Sequence, residues 1–130
     1  MTGGNDPIGT VQRMFDAFRR GDLDGLIETV HPDSRWTYFG ANPKPTKAEF
    51  AGRPRVRSFF ERIIRRIEMM EFTPTDFIVE GNAVVVFGSE SGTVRHTGQR
   101  FHNEWTQKYV VEDNLIVAMV EYNIQVEPGN

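Results

Sequence analysis

Apolar residues recur at helical spacing in the first half of the chain, which predicts three helices. The first begins at Asp6-Pro7, where an aspartate can cap the free amides and a proline suits the first helical position. Gly21 ends this helix and Asp22 caps a shorter second one. Pro54 starts the third helix, which carries the most regular apolar stripe of the chain. That stripe consists of Val56, Phe59, Phe60, Ile63, Ile64 and Ile67.

Alternating and β-branched segments predict strands elsewhere in the chain. Residues 35–40 form a short aromatic strand, and the proline-containing stretch 41–52 is a loop. After Met70, four antiparallel strands follow one another. The turns between them lie at Gly81-Asn82, Gly98 and residues 112–114. Because helices and strands occupy separate parts of the chain, the predicted fold class is α+β rather than a parallel doubly wound sheet.

The composition narrows the classes of function. A length of 130 residues predicts one domain, spanning residues 1–130. With no cysteine, disulfides and thiolate chemistry are excluded, and the three histidines lack the close spacing of a metal site, so we expect no metal and no cofactor. A net charge of -3 argues against nucleic-acid binding, and the short apolar segments argue against a membrane span. We expect a cytoplasmic protein, because the first residues do not resemble a signal peptide.

One glycine-rich stretch, GSESG at residues 88–92, lies inside a strand pattern. It lacks the lysine of a phosphate-binding loop, so we interpret Gly88 and Gly92 as bends of a curved sheet. No serine nucleophile elbow, metal-binding triad or dinucleotide-binding fingerprint occurs in the sequence. The sequence therefore offers no motif that by itself names a reaction.

Several motifs resemble the nuclear transport factor 2 superfamily. They are the helix junction RRGDLDGLIETVHPD, the aromatic strand, the helix start F.G...V..FF and the final DNLIVAMVEYN. From about Ile8 to Val126, the chain resembles the branch of SnoaL-like polyketide cyclases, ketosteroid isomerases and limonene epoxide hydrolase. The resemblance implies a cystatin-like α+β cone, with three N-terminal helices packed on a curved, mostly antiparallel sheet. It also implies a pocket for a small apolar molecule and a homodimer formed through the outer sheet face.

The catalytic residues of ketosteroid isomerase do not match this sequence. The resemblance places Tyr38 where that enzyme has its aspartate base, and Met14 where it has its tyrosine donor. Thr106 falls near its second acidic donor. Since all three functional groups differ, we expect a different reaction.

Limonene epoxide hydrolase matches in part. Glu121 takes the place of one of its aspartates, and Trp36 and Tyr38 take the places of its water-holding pair. The arginine and the other aspartate fall near Gly88 and Glu90, where no arginine stands. Trp36 and Tyr38 share a face of their strand, as core aromatics or as the pocket wall, and we expect the pocket wall.

Glu121 lies in the otherwise apolar stretch LIVAMVEY. An unpaired carboxylate costs free energy to bury among valine and methionine. A site can use this cost, because burial raises the pKa of a carboxyl group toward the range of a general base. The alternative is that Glu121 faces water on the outer side of the sheet or pairs with an arginine.

Two arguments conflict over Glu104. The apolar alternation places Phe101, Trp105 and Tyr109 in the core, which would leave Glu104 in solvent. The resemblance instead places Glu104 and Thr106 inward and Trp105 on the outer face, buried in a dimer. We expect the second arrangement, and a β-bulge would reverse the answer.

The predicted function is binding of a small apolar molecule, with isomerase, cyclase or hydratase chemistry that uses a pocket carboxylate as acid and base. The catalytic candidates are Glu121, Glu104, Tyr38 and His102. The ligand-binding candidates are Trp36, Tyr38, Met14, Phe18, Phe60, Glu90, Thr106 and Met119. The alternative is a non-catalytic ligand-binding or dimerisation module. It is favoured by the absence of a complete catalytic set of either ketosteroid isomerase or limonene epoxide hydrolase.

Overall fold

Three helices pack on a six-stranded curved sheet in the computed structural model, which describes residues 4–41 and 44–127. The helices are α1 (Pro7–Arg19), α2 (Leu23–Glu28) and α3 (Arg53–Arg66). The strands are β1 (Val30–Gly40), β2 (Thr46–Ala51), β3 (Ile67–Glu80), β4 (Ala83–Val94), β5 (Arg100–Glu112) and β6 (Leu115–Gln125). Their order is β2-β1-β6-β5-β4-β3, and only β1 and β6 pair in parallel within the described residues. The predicted α+β class and curved, mostly antiparallel sheet are confirmed.

Local capping sets the first two helices. The carboxylate of Asp6 accepts a hydrogen bond from the Gly9 amide at 3.1 Å, and that of Asp22 accepts one from the Gly25 amide at 2.9 Å. Gly21 has a φ of 68°, which suits the left-handed turn between α1 and α2. In the described part of the chain, no helix has the length and hydropathy of a membrane span.

The hairpin turn between β5 and β6 also holds the start of the chain. Asp113 and Asn114 have φ values of 51° and 60°, as a tight turn of this kind requires. The backbone amide of Asp6 donates to Asn114 Oδ1 at 2.7 Å, and Asn5 Nδ2 donates to the carbonyl of Val111 at 2.6 Å. These bonds fix the beginning of α1 against the end of the sheet.

Part of the predicted loop 41–52 is a strand. β2 pairs antiparallel with β1, from Arg35 opposite Ala51 to Gly40 opposite Thr46. Pro45 precedes β2 rather than interrupting it, and β2 is an edge strand, where a neighbouring proline removes no ladder bond. The predicted loop is wrong for residues 46–51, because Pro45, although typical of a loop, lies just outside the strand and leaves its backbone amides free to pair.

The inner face of β5 is the apolar one. Trp105 is 2% exposed, and its ring stacks on Phe72 with centroids 5.2 Å apart. Tyr109 is buried against Phe15 of α1. The pairing of β5 with β4 and β6 contains no register shift before Val110, so the alternation runs unbroken through the strand. The orientation that placed Glu104 and Thr106 inward and Trp105 outward is therefore wrong.

Two glycines of β4 lie where β3 changes register. Gly88 pairs with Pro74 and Gly92 with Met69, and a register shift follows each of these partners along β3. A Cβ atom at Gly88 would stand 2.4 Å from the ring of Trp105, so only glycine leaves room for this ring. The irregular pairing next to both glycines is typical of a bent strand pair.

Candidate functional site

A cavity of about 450 Å³ lies between the helices and the inner face of the sheet. This volume is in the range of small-molecule sites. Its walls are largely apolar and include the aromatic rings of Trp36, Tyr38, Phe59, Phe60, Phe101 and Tyr109. Two arginines of α3, Arg62 and Arg66, also line the cavity and are exposed to solvent, so they mark its mouth.

The carboxyl group of Glu121 lies at the inner end of this cavity. The residue is 6% exposed. Gln107 Nε2 donates a hydrogen bond to Glu121 Oε1 at 3.0 Å, and Asn123 Nδ2 donates one to Oε2 at 2.8 Å. Each carboxyl oxygen therefore has one amide partner, which fixes the orientation of the group.

A second carboxyl group, that of Glu90, shares one of these partners. Asn103 Nδ2 donates to Glu90 Oε2 at 2.9 Å, and Asn123 Nδ2 lies 3.4 Å from the same oxygen. The amide nitrogen of Asn123 is thus within hydrogen-bond distance of both Glu90 and Glu121. The two carboxyl groups form a pair that faces one cavity.

Burial shifts both groups toward the protonated form. Removal from water, the largest cause, raises the pKa of Glu121 to about 7. The hydrogen bond from Asn123 opposes this shift, and the negative charge of Glu90 adds to it. Burial likewise raises the pKa of Glu90, against the hydrogen bonds from Asn103 and Asn123. Near neutral pH, Glu121 therefore populates both its acid and its base forms.

A buried phenol orients the amide that holds Glu121. Tyr109 Oη donates to Gln107 Oε1 at 2.6 Å, which leaves Gln107 Nε2 to donate to Glu121. Burial, and then the charge of Glu121, raise the pKa of Tyr109 well above its usual value. Tyr109 stays protonated at any ordinary pH and keeps the Gln107 amide in one orientation.

A second phenol faces the cavity from β1. Tyr38 lies opposite Glu121 in the parallel pairing of β1 and β6. Burial, followed by the charges of Glu121 and Glu90, raises the pKa of Tyr38, so its hydroxyl is a permanent hydrogen-bond donor. A Cβ atom at Gly40 would stand 2.9 Å from the Tyr38 ring, so glycine leaves the ring its position along the strand.

Most of the residues predicted for the site line this cavity. They are Glu121, Tyr38, Trp36, Met14, Phe18, Phe60 and Glu90. Met119 lies on the same face of β6 but is 1% exposed within the core and does not line the cavity. The structure therefore places Met119 in the packed core, beside the cavity rather than in its wall.

Three other candidates lie outside the cavity. The imidazole of His102 and the carboxylate of Glu104 form a pair on the outer face of β5. Thr106 belongs to the same face, opposite Tyr122 of β6. The sheet separates all three from the cavity, so their predicted roles in catalysis and ligand binding do not fit this structure.

Sequence reasoning missed the amide side chains that surround the carboxyl pair. Asn103 and Gln107 share the parity of Trp105, so the apolar alternation of β5 could have found them. Asn123 shares the parity of Glu121 on β6. Across the described ranges 4–41 and 44–127, no group of three His, Asp or Glu side chains is placed to hold a metal ion.

Comparisons with known proteins agree with this geometry. The model of the SnoaL-like domain family matches residues 11–119. An NTF2-like protein of Burkholderia xenovorans LB400 is 22% identical, with 90% of this chain and 88% of that chain covered and a TM-score of 0.78. An NTF2-like protein of unknown function from Burkholderia pseudomallei K96243 is 27% identical, with 88% of each chain covered and a TM-score of 0.77.

A more distant similarity links the fold to the ketosteroid isomerase-like proteins. A protein of this fold from Catenulispora acidiphila, solved in complex with trimethylamine, is 18% identical to the chain. The match covers 87% of this chain and 83% of that chain, with a TM-score of 0.71. No curated protein matches the chain. These similarities establish the architecture around the cavity and leave its chemistry to be argued from the residues that line it.

Proposed function

Because the chain belongs to the family of SnoaL-like domains, we propose that its cavity binds a small apolar molecule and moves a proton on it without a cofactor. The reaction would be an isomerisation or a cyclisation. The observation that carries this proposal is the carboxyl group of Glu121, buried at the inner end of an aromatic cavity and held by two amides. In the described part of the chain no cationic side chain pairs with it. A fixed carboxyl group with a pKa of about 7 is suited to general acid–base catalysis.

Each cavity group has a distinct part in the proposed reaction. The Glu121 carboxylate takes a proton from a carbon next to a carbonyl group of the ligand, and the electron pair moves onto the carbonyl oxygen. Tyr38, which stays protonated, donates a hydrogen bond to that oxygen as it gains negative charge. Glu121 then returns the proton to another carbon, so the ligand is isomerised and no group is consumed. Gln107 and Asn123 hold the carboxylate between the two steps.

Hydrogen exchange into cyclic ketones tests this proposal before a natural substrate is known. In D2O, the protein should accelerate deuterium uptake next to the carbonyl group of some members of a panel of cyclic ketones and enones, observed by NMR. Glu121→Gln should slow this exchange about 100-fold, because glutamine cannot accept the proton. Glu104→Gln removes a carboxylate from the outer face of the same sheet and should leave the exchange rate unchanged.

Other results would contradict the proposal. If Glu121→Gln exchanged as fast as the wild-type protein, Glu121 would not be the base. If ketones raised the melting temperature but exchanged no faster than in buffer, the cavity would serve binding alone. That second outcome would support the alternative, a non-catalytic module. The alternative is favoured because this chain lacks part of the catalytic sets of ketosteroid isomerase and limonene epoxide hydrolase.

The outer face of the sheet supports a further part of the proposal, a homodimer. Tyr122 is 56% exposed and Ile124 is 57% exposed, both on this face of β6. The Tyr122 ring stacks on Phe39 with centroids 4.8 Å apart and an angle of 4°, and Phe87 of β4 adds a partly exposed ring. A contiguous apolar patch of this kind marks an interaction surface.

Ile124→Glu should turn a dimeric protein into a monomer, because it would bury a charge at the proposed interface. Sedimentation velocity at micromolar concentration measures the change. Met70→Glu is the matched control: Met70 is 65% exposed but lies beside α3, away from the outer-face patch. A wild-type protein that sediments as a monomer at all concentrations would contradict the dimer and leave the proposed reaction untouched.

A further inference from the structure

The inner end of the cavity carries two carboxyl groups without a positively charged partner. Among the described residues, side-chain amides donate the hydrogen bonds to Glu90 and Glu121, and neither carboxyl group forms an ion pair. A buried carboxylate without a cation is costly, so such a group either keeps a proton or meets a cation. Amide donors reduce this cost but add no positive charge. A ligand that carries a cation would supply the charge that the surrounding side chains do not.

Aromatic rings line the same space. Trp36, Tyr38, Phe59 and Tyr109 all face the cavity, and the rings of Tyr38 and Phe59 lie 5.8 Å apart. The face of an aromatic ring carries negative charge density and attracts a cation. Rings together with carboxylates favour a cation over a neutral molecule of the same shape, whereas rings alone would accept either.

The cationic side chains that the structure describes near the cavity do not pair with the two carboxyl groups. Arg62 and Arg66 are exposed at the mouth, where solvent and salt weaken their field. His102 lies on the outer face of β5, and its charge lowers the pKa of Glu90 across the strand. Tyr38 and Tyr109 stay neutral. The inner end of the cavity is thus its acidic part.

We propose that the ligand of this cavity is a protonated amine with an apolar body, whose nitrogen binds Glu90 while the neighbouring carbon faces Glu121. This inference rests on the proposed function and narrows its substrate class. The ammonium group donates hydrogen bonds to the Glu90 carboxylate, and any proton that Glu90 held leaves to solvent. The ligand also carries a carbonyl group next to the carbon that Glu121 deprotonates, so the electron pair moves onto the carbonyl oxygen, and the nearby ammonium charge stabilises the negative charge that develops there. Glu90 is then the group that selects the ligand, and Glu121 is the base.

Three molecules of matched size and shape test the sign of the selected charge. They are N,N-dimethylcyclohexylamine, which is protonated at neutral pH, the neutral cyclohexyl methyl ketone, and cyclohexanecarboxylate. By calorimetry at pH 7.5 and low salt, the amine should bind about tenfold more tightly than the ketone, a difference of about 1.4 kcal/mol. The carboxylate should bind most weakly, because two acidic groups repel it.

Glu90→Gln should remove the preference for the amine, so that the amine and the ketone bind with similar affinity. Ketone binding by this variant also shows that its cavity has folded. Glu104→Gln, which removes a carboxylate from the outer face, should keep the wild-type preference. In the wild-type protein, the amine should bind more weakly as the pH falls below 7, since protonation of the carboxyl pair then competes with the cation.

The outcomes separate this inference from the proposed function. Equal or tighter binding of the ketone overturns the inference while Glu121 can still act as base on a neutral ligand. Tightest binding of the carboxylate overturns it too and assigns selection to Arg62 and Arg66. Binding of none of the three at millimolar concentration contradicts both proposals. An amine preference that depends on Glu90, in a protein without deuterium exchange, would support this inference and overturn the acid–base reaction.

Discussion

Replacing Glu121 by glutamine is expected to remove about 3 kcal/mol of pH-dependent destabilisation between pH 4.5 and pH 8. The pKa of Glu121 is about 7 in the folded protein and 4.5 in an ordinary environment. Between pH 4.5 and pH 7, the Glu121 carboxyl group has lost its proton in the unfolded chain but keeps it in the folded protein. The stabilising contribution of this carboxyl group is therefore complete below pH 4.5 and is lost as the pH rises through 7. Glutamine does not ionise, so the variant lacks this loss.

Urea unfolding at several pH values measures this effect. The quantity to compare is the free energy of unfolding of Glu121→Gln minus that of the wild-type protein, because titrating groups that do not interact with Glu121 cancel in this difference. The difference should grow with pH and level off above about pH 8. A difference that stays constant from pH 4.5 to pH 8 would mean that Glu121 ionises in the folded protein as freely as in water.

Trp36→Ala is expected to lower the free energy of unfolding by about 3–5 kcal/mol, which is the usual cost of replacing a buried large aromatic side chain by alanine. Trp36 is 1% exposed, and its ring packs edge-on against Phe60 and Tyr109, with centroids 5.4 and 6.1 Å away. Its Nε1 donates to Ser34 Oγ at 2.8 Å. Alanine would lose the ring contacts and leave this hydroxyl without its donor.

A second substitution separates packing from hydrogen bonding. Trp36→Phe keeps most of the ring and loses the bond to Ser34, so it should cost about 1–3 kcal/mol. Chemical denaturation of both variants at one pH gives the comparison. If Trp36→Ala cost less than 1 kcal/mol, the ring would not be a central part of the core. Because Trp36 also lines the cavity, the alanine variant should in addition bind the ketone and amine probes more weakly.

Local signals made much of the fold predictable from the sequence. The capping residues Asp6 and Asp22 each accept a hydrogen bond from a backbone amide in the next turn of the chain. The apolar stripe of α3 likewise repeats along one helix. The turns at Gly81 and Asp113 likewise need only their own backbone angles. The edge strand β2 was missed although its hairpin with β1 is short, with Gly40 opposite Thr46, because a proline such as Pro45 directly before it is typical of a loop.

The candidate site was predictable to a smaller extent. Glu121 was found because a carboxylate in an apolar strand stands out. Asn103, Gln107 and Asn123 did not stand out, since amides are common on exposed strand faces. Only the register of β5 against β4 and β6 brings them to the carboxyl pair. For Glu104, the alternation of the strand itself was correct, and the register taken from the resemblance was wrong.

The parallel pairing of β1 with β6 has a consequence for how the protein is made. β1 precedes α3, and β6 is the last strand described, yet the two lie side by side in the sheet. During synthesis, the edge of β1 that pairs with β6 stays uncovered until β6 has been made, after all the other strands. Until then the edge of β1 that includes Trp36 and Phe39 lacks its partner strand, and we expect it to be the part of the emerging polypeptide most prone to aggregation.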